Sequence, residues 1–119
     1  MASGDVINIS LADAQTDSEI TYGTQSIDVP AGKYLVSYSF GGTGDTAGNV
    51  SIVPSYSGGT QTLAARSDNI TADDLLANVD GVFTFTAAAA DSISFTVELA
   101  NGTTSLTDVL LSVVVQKLA

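Results

Sequence analysis

The segment that decides the fold reads Lys33-Tyr34-Leu35-Val36-Ser37-Tyr38-Ser39-Phe40. Its even positions hold Tyr, Val, Tyr and Phe, and its odd positions from 35 to 39 hold Leu, Ser and Ser. This alternation is typical of a β-strand with one apolar face and one polar face. We therefore interpret the aromatic face as core more readily than as a platform for a ligand.

Turn residues flank this strand on both sides. Pro30-Ala31-Gly32 precedes it and has the composition of a tight turn. The glycine-rich stretch Gly41–Gly48 follows it and is predicted to be a flexible loop, with Asp45 on a mobile tip. The next strand, Val50–Tyr56, contains Pro54, which cannot donate to a strand ladder. Pro54 therefore predicts an edge strand or a bulge.

The same alternation recurs along the rest of the chain. Further strands are predicted over 6–11, 25–29, 81–87, 92–99 and 109–118. Thr71–Leu76 has a threonine cap followed by acidic residues and is predicted to form a single helical turn. About eight strands separated by glycine-rich turns predict an all-β fold, an antiparallel two-sheet sandwich or a barrel.

Composition excludes several classes of function. The 119 residues include 3 Lys plus Arg and 13 Asp plus Glu, for a net charge of −10, with no Cys and no His. Nucleic acid and anionic membranes require clustered cations, so neither is an expected partner. Without His, Cys or a paired-carboxylate motif, we predict that the chain is not an enzyme. No apolar run is long enough to predict membrane insertion.

The last predicted strand is apolar on both faces. Val109, Leu111, Val113 and Val115 can meet a core, which leaves Leu110, Val114 and Leu118 pointing outward. Each exposed Val or Leu forgoes roughly 1.5–3 kcal/mol relative to burial. We predict that sister copies cover these three side chains in an oligomer. The alternative is that a loop of the same chain covers them.

Four blocks of sequence together resemble a known family. They are PAGKYLVSYSF (30–40), NVSIVPSYSGG (49–59), AAAADSISFTVEL (87–99) and LLSVVVQKL (110–118). Over roughly residues 6–118 they resemble the C-terminal head of bacterial collagen-like surface glycoproteins, best known from the spore exosporium. The most specific pieces are Gly32-x-Tyr34 and Asp91-Ser92-Ile93. That head is similar in fold to complement and tumour-necrosis-factor-type heads.

The resemblance implies a ten-stranded jelly roll and a tight homotrimer on a Gly-X-Y stalk. These 119 residues contain no Gly-X-Y repeat. The implied function is a non-catalytic trimerisation and surface-display head on a spore or cell surface, with a possible adhesive role. The alternatives are a trimeric phage fibre or capsid-decoration domain on a virion, and a module that binds a host receptor or glycan. In a trimer, the hydroxyls of Tyr34 and Tyr38 would seek partners across chains.

Two weaker hypotheses and one boundary complete the prediction. Asp73 and Asp74 are weak candidates for calcium ligands, because complement-type heads sometimes hold calcium. Otherwise no cofactor is expected. Asn-x-Ser/Thr sequences occur at Asn8, Asn49, Asn69 and Asn101, but chance explains them well in a chain rich in Ser and Thr. Residues 1–5 are predicted to be a flexible N-terminus or a cloning scar, and residues 6–119 a single domain.

Overall fold

A computed structural model describes residues 1–15, 19–57, 59–61 and 64–118 of the chain. Those residues form ten strands, which is the number that the family resemblance implied: β1 (Leu11–Gln15), β2 (Thr21–Tyr22), β3 (Ile27–Val29), β4 (Gly32–Gly44), β5 (Gly48–Tyr56), β6 (Gly59–Thr60), β7 (Arg66–Ile70), β8 (Leu76–Ala87), β9 (Asp91–Ala100) and β10 (Leu106–Leu118). In this part of the chain, no helix is long and apolar enough to cross a membrane.

The strands build two sheets packed face to face. The four-stranded sheet has the order β1-β10-β4-β8. The six-stranded sheet has the order β2-β3-β9-β5-β6, with β7 also paired to β5. Neighbouring strands are antiparallel except at one edge, where β1 runs parallel to β10. This arrangement confirms the predicted all-β, two-sheet sandwich.

The core lies between the sheets and follows the alternation of the sequence. Tyr34, Val36, Tyr38 and Phe40 of β4 are all buried. Aromatic rings from both sheets meet there: the ring centroids of Tyr38 and Phe95 are 5.1 Å apart. Burial of such side chains supplies most of the energy that holds the two sheets together.

A glycine makes room for the Tyr38 ring in this core. Gly81 of β8 lies opposite Tyr38 of β4 in the ladder. A Cβ atom at Gly81 would lie 2.4 Å from the Tyr38 ring, which is too close for any side chain. The position of Tyr38 therefore depends on the absence of a side chain at residue 81.

The predicted helical turn at Thr71–Leu76 is wrong. Thr71 and Asp74 exchange two backbone hydrogen bonds, of 3.2 Å and 3.3 Å, and so close a tight turn between β7 and β8. The Asp74 carboxylate accepts from the Leu76 N–H at 3.0 Å. Leu76 already belongs to β8, where it pairs with Thr43. The same cap residues suit a turn as well as a helix start, and pairing with β4 decides between them.

The predicted loop Gly41–Gly48 is mostly strand. β4 continues through Gly44 and β5 starts at Gly48, so the connection is only residues 45–47. A Cβ at Gly48 would lie 2.4 Å from the Thr103 hydroxyl and 2.5 Å from the Ala100 carbonyl oxygen. Glycine at position 48 therefore permits close packing against the turn after β9 rather than flexibility.

The prediction that Pro54 marks an edge or a bulge is also wrong. β5 is an inner strand, with β9 on one side and two partners on the other. β7 pairs with residues up to Ile52, and β6 pairs from Ser55 onward. Pro54 lies between these two partners, where no ladder hydrogen bond is required of its nitrogen. Its carbonyl oxygen accepts from Gln61 N–H at 2.8 Å.

The N-terminal segment contacts both sheets. Val6 forms a bridge with Thr96 of β9 in the six-stranded sheet, whereas β1 starts at Leu11 in the four-stranded sheet. The strand predicted over residues 6–11 is therefore a crossing between sheets. The Met1 amino group donates to the Leu106 carbonyl at 2.9 Å, which holds the first residue beside the start of β10. The proposed boundary between residues 1–5 and a domain of residues 6–119 stays a prediction.

Candidate assembly interface

Apolar side chains are exposed on the outer side of the four-stranded sheet. The exposed fractions are 58% for Leu76, 54% for Val82, 53% for Leu110 and 36% for Val114. Leu35 and Leu118 are half-buried on the same side. We refer to these six residues together as the apolar face: Leu35, Leu76, Val82, Leu110, Val114 and Leu118.

Strand register brings these side chains together across the sheet. Val114 of β10 lies opposite Ser37 of β4, and Ser37 lies opposite Val82 of β8. Two outward positions further along, beyond Ser112 and Ser39, Leu110 lies opposite Gly41. At these two positions β4 presents Ser37 and Gly41, which are smaller than the Val and Leu side chains beside them. A surface of this shape lets another protein approach the sheet closely.

Of the five residues predicted for an interface, Leu110, Val114 and Leu118 lie on the apolar face, whereas the two tyrosines do not. Leu110 and Val114 are exposed and Leu118 is half-buried. No loop in the described part of the chain therefore covers these three side chains. Leu76 and Val82 were missed by the sequence prediction. The available signal was the alternation around Phe83 and Phe85, because burial of those rings turns Val82 outward.

Tyr34 and Tyr38 are buried in the core, contrary to their predicted place in a trimer interface. Their exposed fractions are 0% and 3%, and both rings point into the core. The Tyr34 hydroxyl donates to the Pro30 carbonyl at 2.6 Å, and the Tyr38 hydroxyl donates to the Ala64 carbonyl at 2.9 Å. Burial raises the pKa of Tyr38, and the positive charge of Arg66 partly opposes this shift. The two hydroxyls are thus satisfied within one chain.

Charge is sparse on this side of the sheet. We consider the outward positions of β4 and β8 together with those of β10 from Leu110 to Leu118. Among these positions, Asp80 is the one acidic residue and Lys33 is the one basic residue. Ser39 lies opposite Asp80 in the ladder, and its hydroxyl donates to the carboxylate at 2.6 Å. Lys33 lies near one end of the sheet, opposite Leu118.

The outer side of the six-stranded sheet is polar instead. Asn101 donates its side-chain amide to Asn49, and Asn49 donates its own amide to Asn69. Three of the four Asn-x-Ser/Thr sequences therefore meet at one corner of the molecule. The neighbouring outward pair, Ser51 and Ser67, is also polar.

Asp45 holds the short β4–β5 connection against the turn before β10. Its carboxylate accepts from the Thr104 hydroxyl at 2.5 Å and from the Thr104 N–H at 3.0 Å. It also accepts from Ser105 N–H at 3.3 Å and Thr46 N–H at 2.9 Å. These bonds, chiefly those from Thr104, hold the pKa of Asp45 well below its usual range. The prediction of a mobile tip is therefore wrong, because the hydrogen bonds of the Asp45 carboxylate hold this connection in place.

The calcium hypothesis for Asp73 and Asp74 gains no support from the geometry. The Asp74 carboxylate is used by the turn, where it accepts from Leu76 N–H. No group of three or more candidate metal ligands occurs among the described residues. A shallow groove of about 660 Å³ elsewhere is lined by Glu19, Asp28, Val29, Pro30, Ala90, Asp91 and Ser92, and it is open to solvent.

Comparison with known proteins is informative at the level of fold. No protein-family model matches the chain, and no curated protein matches it either. Among solved structures, murine APRIL at pH 5.0 superimposes with a TM-score of 0.64 at 18% identity, covering 99% of this chain and 92% of that one. Murine APRIL at pH 8.0 gives a TM-score of 0.56 at 20% identity, covering 86% and 76%. The globular domain of the zebrafish complement 1qA protein gives 0.56 at 10% identity, covering 95% and 86%.

These superpositions place the chain in a structural class. It has the jelly-roll fold shared by tumour-necrosis-factor-like and complement-type heads, as the sequence blocks indicated. The identities are too low to transfer a ligand, a partner or a particular role.

Proposed function

We propose that this chain is a non-catalytic head domain that assembles into a homotrimer through the apolar face and caps a surface filament. The observation that carries the proposal is the apolar face itself. Four of its side chains are at least 36% exposed, on a chain with few charges to keep copies apart. Complete burial of a fully exposed Val or Leu side chain gains roughly 1.5–3 kcal/mol, and covering the exposed part of each of these side chains gains a share of that.

A closed ring of three copies would place the apolar face of each copy against a neighbouring copy. In a ring, each copy presents one surface to the next copy and a different surface to the previous one. The small residues Ser37 and Gly41 on the central strand allow a neighbour to approach the sheet. The jelly-roll resemblance favours three copies over two, and it also favours an extracellular setting on a spore or cell surface.

A filament stalk would join at a defined end of the head. Met1 lies beside Leu106, where β10 begins, and β10 runs from there to Leu118 at the other end of the sheet. A stalk upstream of Met1 would therefore enter at the end that carries Asp45 and Asn101. Three heads held in register would align three stalk chains, which a collagen helix needs before it can form.

The absence of His and Cys from the sequence supports a role without catalysis. Adhesion would then fall to the polar outer side of the six-stranded sheet, which stays exposed when the apolar face is covered.

Light scattering coupled to size-exclusion chromatography tests the proposal at micromolar concentration. We expect a mass close to three times the chain mass of 12.0 kDa. We also expect the melting temperature to rise with protein concentration, because association stabilises the folded chain by mass action. A monomer with concentration-independent melting would contradict the proposal.

A phage fibre or capsid-decoration domain is the alternative that shares the same assembly. The upstream sequence distinguishes the two: a Gly-X-Y repeat supports a collagen-like filament, and a coiled coil or β-helix supports a virion fibre.

A further inference from the structure

Residues 3–7 lie beside β9 in the six-stranded sheet, and we call them the N-terminal strap. β3 pairs with β9 only over Asp91–Ile93. Beyond Ile93 the strap takes the place of β3, and Val6 forms an antiparallel bridge with Thr96. Without the strap, this part of β9 would lack a backbone partner on the side away from β5.

Hydrogen bonds and one buried side chain hold the strap against β9. The hydrogen bonds run from Gly4 N–H to the Val97 carbonyl at 2.8 Å, from Val97 N–H to the Asp5 carbonyl at 3.1 Å, from Ile7 N–H to the Phe95 carbonyl at 2.8 Å and from Leu99 N–H to the Ser3 hydroxyl oxygen at 3.0 Å. The Ile7 side chain is fully buried in the core. Bonds between antiparallel strands lie perpendicular to the strand direction, so a force along the strap loads all of them together.

The chain is also fixed at the point where a stalk would join it. The Met1 amino group donates to the Leu106 carbonyl at 2.9 Å, and Leu106 N–H donates to the Met1 carbonyl at 2.8 Å. A tight turn follows, in which Asp5 N–H donates to the Ala2 carbonyl at 3.1 Å and Gly4 has a φ of 91°. The strap then runs antiparallel to β9. Its first residues therefore lie nearest the end of β9 that leads into β10, and a pull away from that end acts along the strap.

We infer that the N-terminal strap carries mechanical tension from the stalk into the six-stranded sheet. This inference rests on the proposed filament head, because a head on a stalk is pulled at its N-terminus. A strand pulled along its axis must break its hydrogen bonds together, whereas a strand pulled sideways loses them one at a time. The strap therefore stays attached to β9 until the whole domain unfolds.

Single-molecule force spectroscopy on the full chain tests this inference. One handle is attached to the N-terminus and the other to a thiol introduced by Ser67→Cys, which is unique because the chain has no Cys. Ser67 is exposed on β7 of the same sheet, so the attachment leaves the core intact. We expect no lengthening of the chain before the domain unfolds. Early release of residues 1–10 at low force, seen as an extension of up to roughly 35 Å, would overturn the inference.

Ile7→Val and Ile52→Val form a matched pair of variants in this experiment. Both isoleucines are fully buried, and each substitution removes the same small part of the core. Ile7 belongs to the strap, whereas Ile52 lies on β5. Under constant force we expect Ile7→Val to unfold about two- to tenfold faster than wild type, because the strap must yield first. We expect the rate for Ile52→Val to stay close to that of wild type, because its contacts break only afterwards.

The outcomes separate this inference from the proposal on which it rests, because force is measured on one tethered chain and assembly by light scattering. A head that forms trimers but releases its strap early would leave the proposed trimer standing and overturn the inference. Equal acceleration by Ile7→Val and Ile52→Val would also overturn it, because the strap would then carry no particular share of the load. Urea unfolding confirms that both variants are folded and have lost similar stability.

Discussion

The outer sides of the two sheets are built by the same alternation but have opposite compositions. On the four-stranded sheet, the outward positions include Val82, Leu110 and Val114. On the six-stranded sheet, the corresponding positions include Ser67 and Asn69, and Glu98 lies outward on β9. Inward residues are apolar on both sheets, so the fold does not require the difference. The outward residues therefore indicate what each sheet meets outside its own chain.

The largest effect should come from a charge placed on the apolar face. We expect Val114→Asp to abolish assembly at micromolar concentration, because an unpaired carboxylate covered by a neighbour costs several kcal/mol, or about a hundredfold or more in affinity. Light scattering measures the change in mass.

Ser67→Asp is the matched variant on the six-stranded sheet. It adds the same charge at an exposed outward position, and we expect the mass to equal that of wild type. Equal effects of the two substitutions would remove the distinction between the sheets. An unchanged mass and melting temperature for Val114→Asp would place Val114 outside any interface.

A second prediction concerns the inner side of the same sheet. Gly81→Ala adds a methyl group 2.4 Å from the Tyr38 ring. We expect a loss of about 1–3 kcal/mol in the free energy of unfolding, measured with urea. Gly59→Ala is the control, because a Cβ at Gly59 has no atom within 4 Å. Equal stability of the two variants would show that the core around Tyr38 adapts without cost.

A third prediction tests the corrected placement of Tyr38. Tyr38→Phe removes the hydrogen bond to the Ala64 carbonyl, so we expect stability to fall by about 1 kcal/mol. The mass by light scattering should not change, because the hydroxyl points into its own chain. If Tyr38→Phe instead weakened assembly and left the stability of the chain intact, Tyr38 would belong to the interface after all.

The sequence correctly predicted the strands in which alternate residues face the core and the solvent. The faces of β4, β8 and β9 came out correctly, because burial of one face fixes every second residue. The prediction failed where local chemistry fits two structures. The threonine cap at Thr71 suits a helix and a turn, and the glycines from Gly41 to Gly44 suit a loop and a closely packed strand. In both places, pairing with a distant strand decided the outcome.

The candidate site was partly predictable for a similar reason. A strand that is apolar on both faces has outward residues that can be identified without coordinates, so Leu110 and Val114 were found. Leu76 was missed because β8 begins five residues earlier than its pattern indicated. Tyr34 and Tyr38 were wrongly included because the sequence does not show that the hydroxyls reach the Pro30 and Ala64 carbonyls.

The smallest predicted effect lies at the end of the sandwich, on neither sheet face. Asp45→Asn removes the charge that Thr104 and Ser105 stabilise through their hydrogen bonds. Because folding lowers the pKa of Asp45, its contribution to stability is present above the ordinary carboxyl pKa of about 4 and is lost as the pH falls further. We therefore expect the variant to be slightly less stable than wild type in urea at neutral pH, with the difference shrinking in acid. Asp73→Asn is the control, because it removes an exposed carboxylate from the β7–β8 turn. If Asp73→Asn changed the stability by the same amount and with the same pH dependence, net charge would explain the effect, and the hydrogen bonds of Asp45 would not.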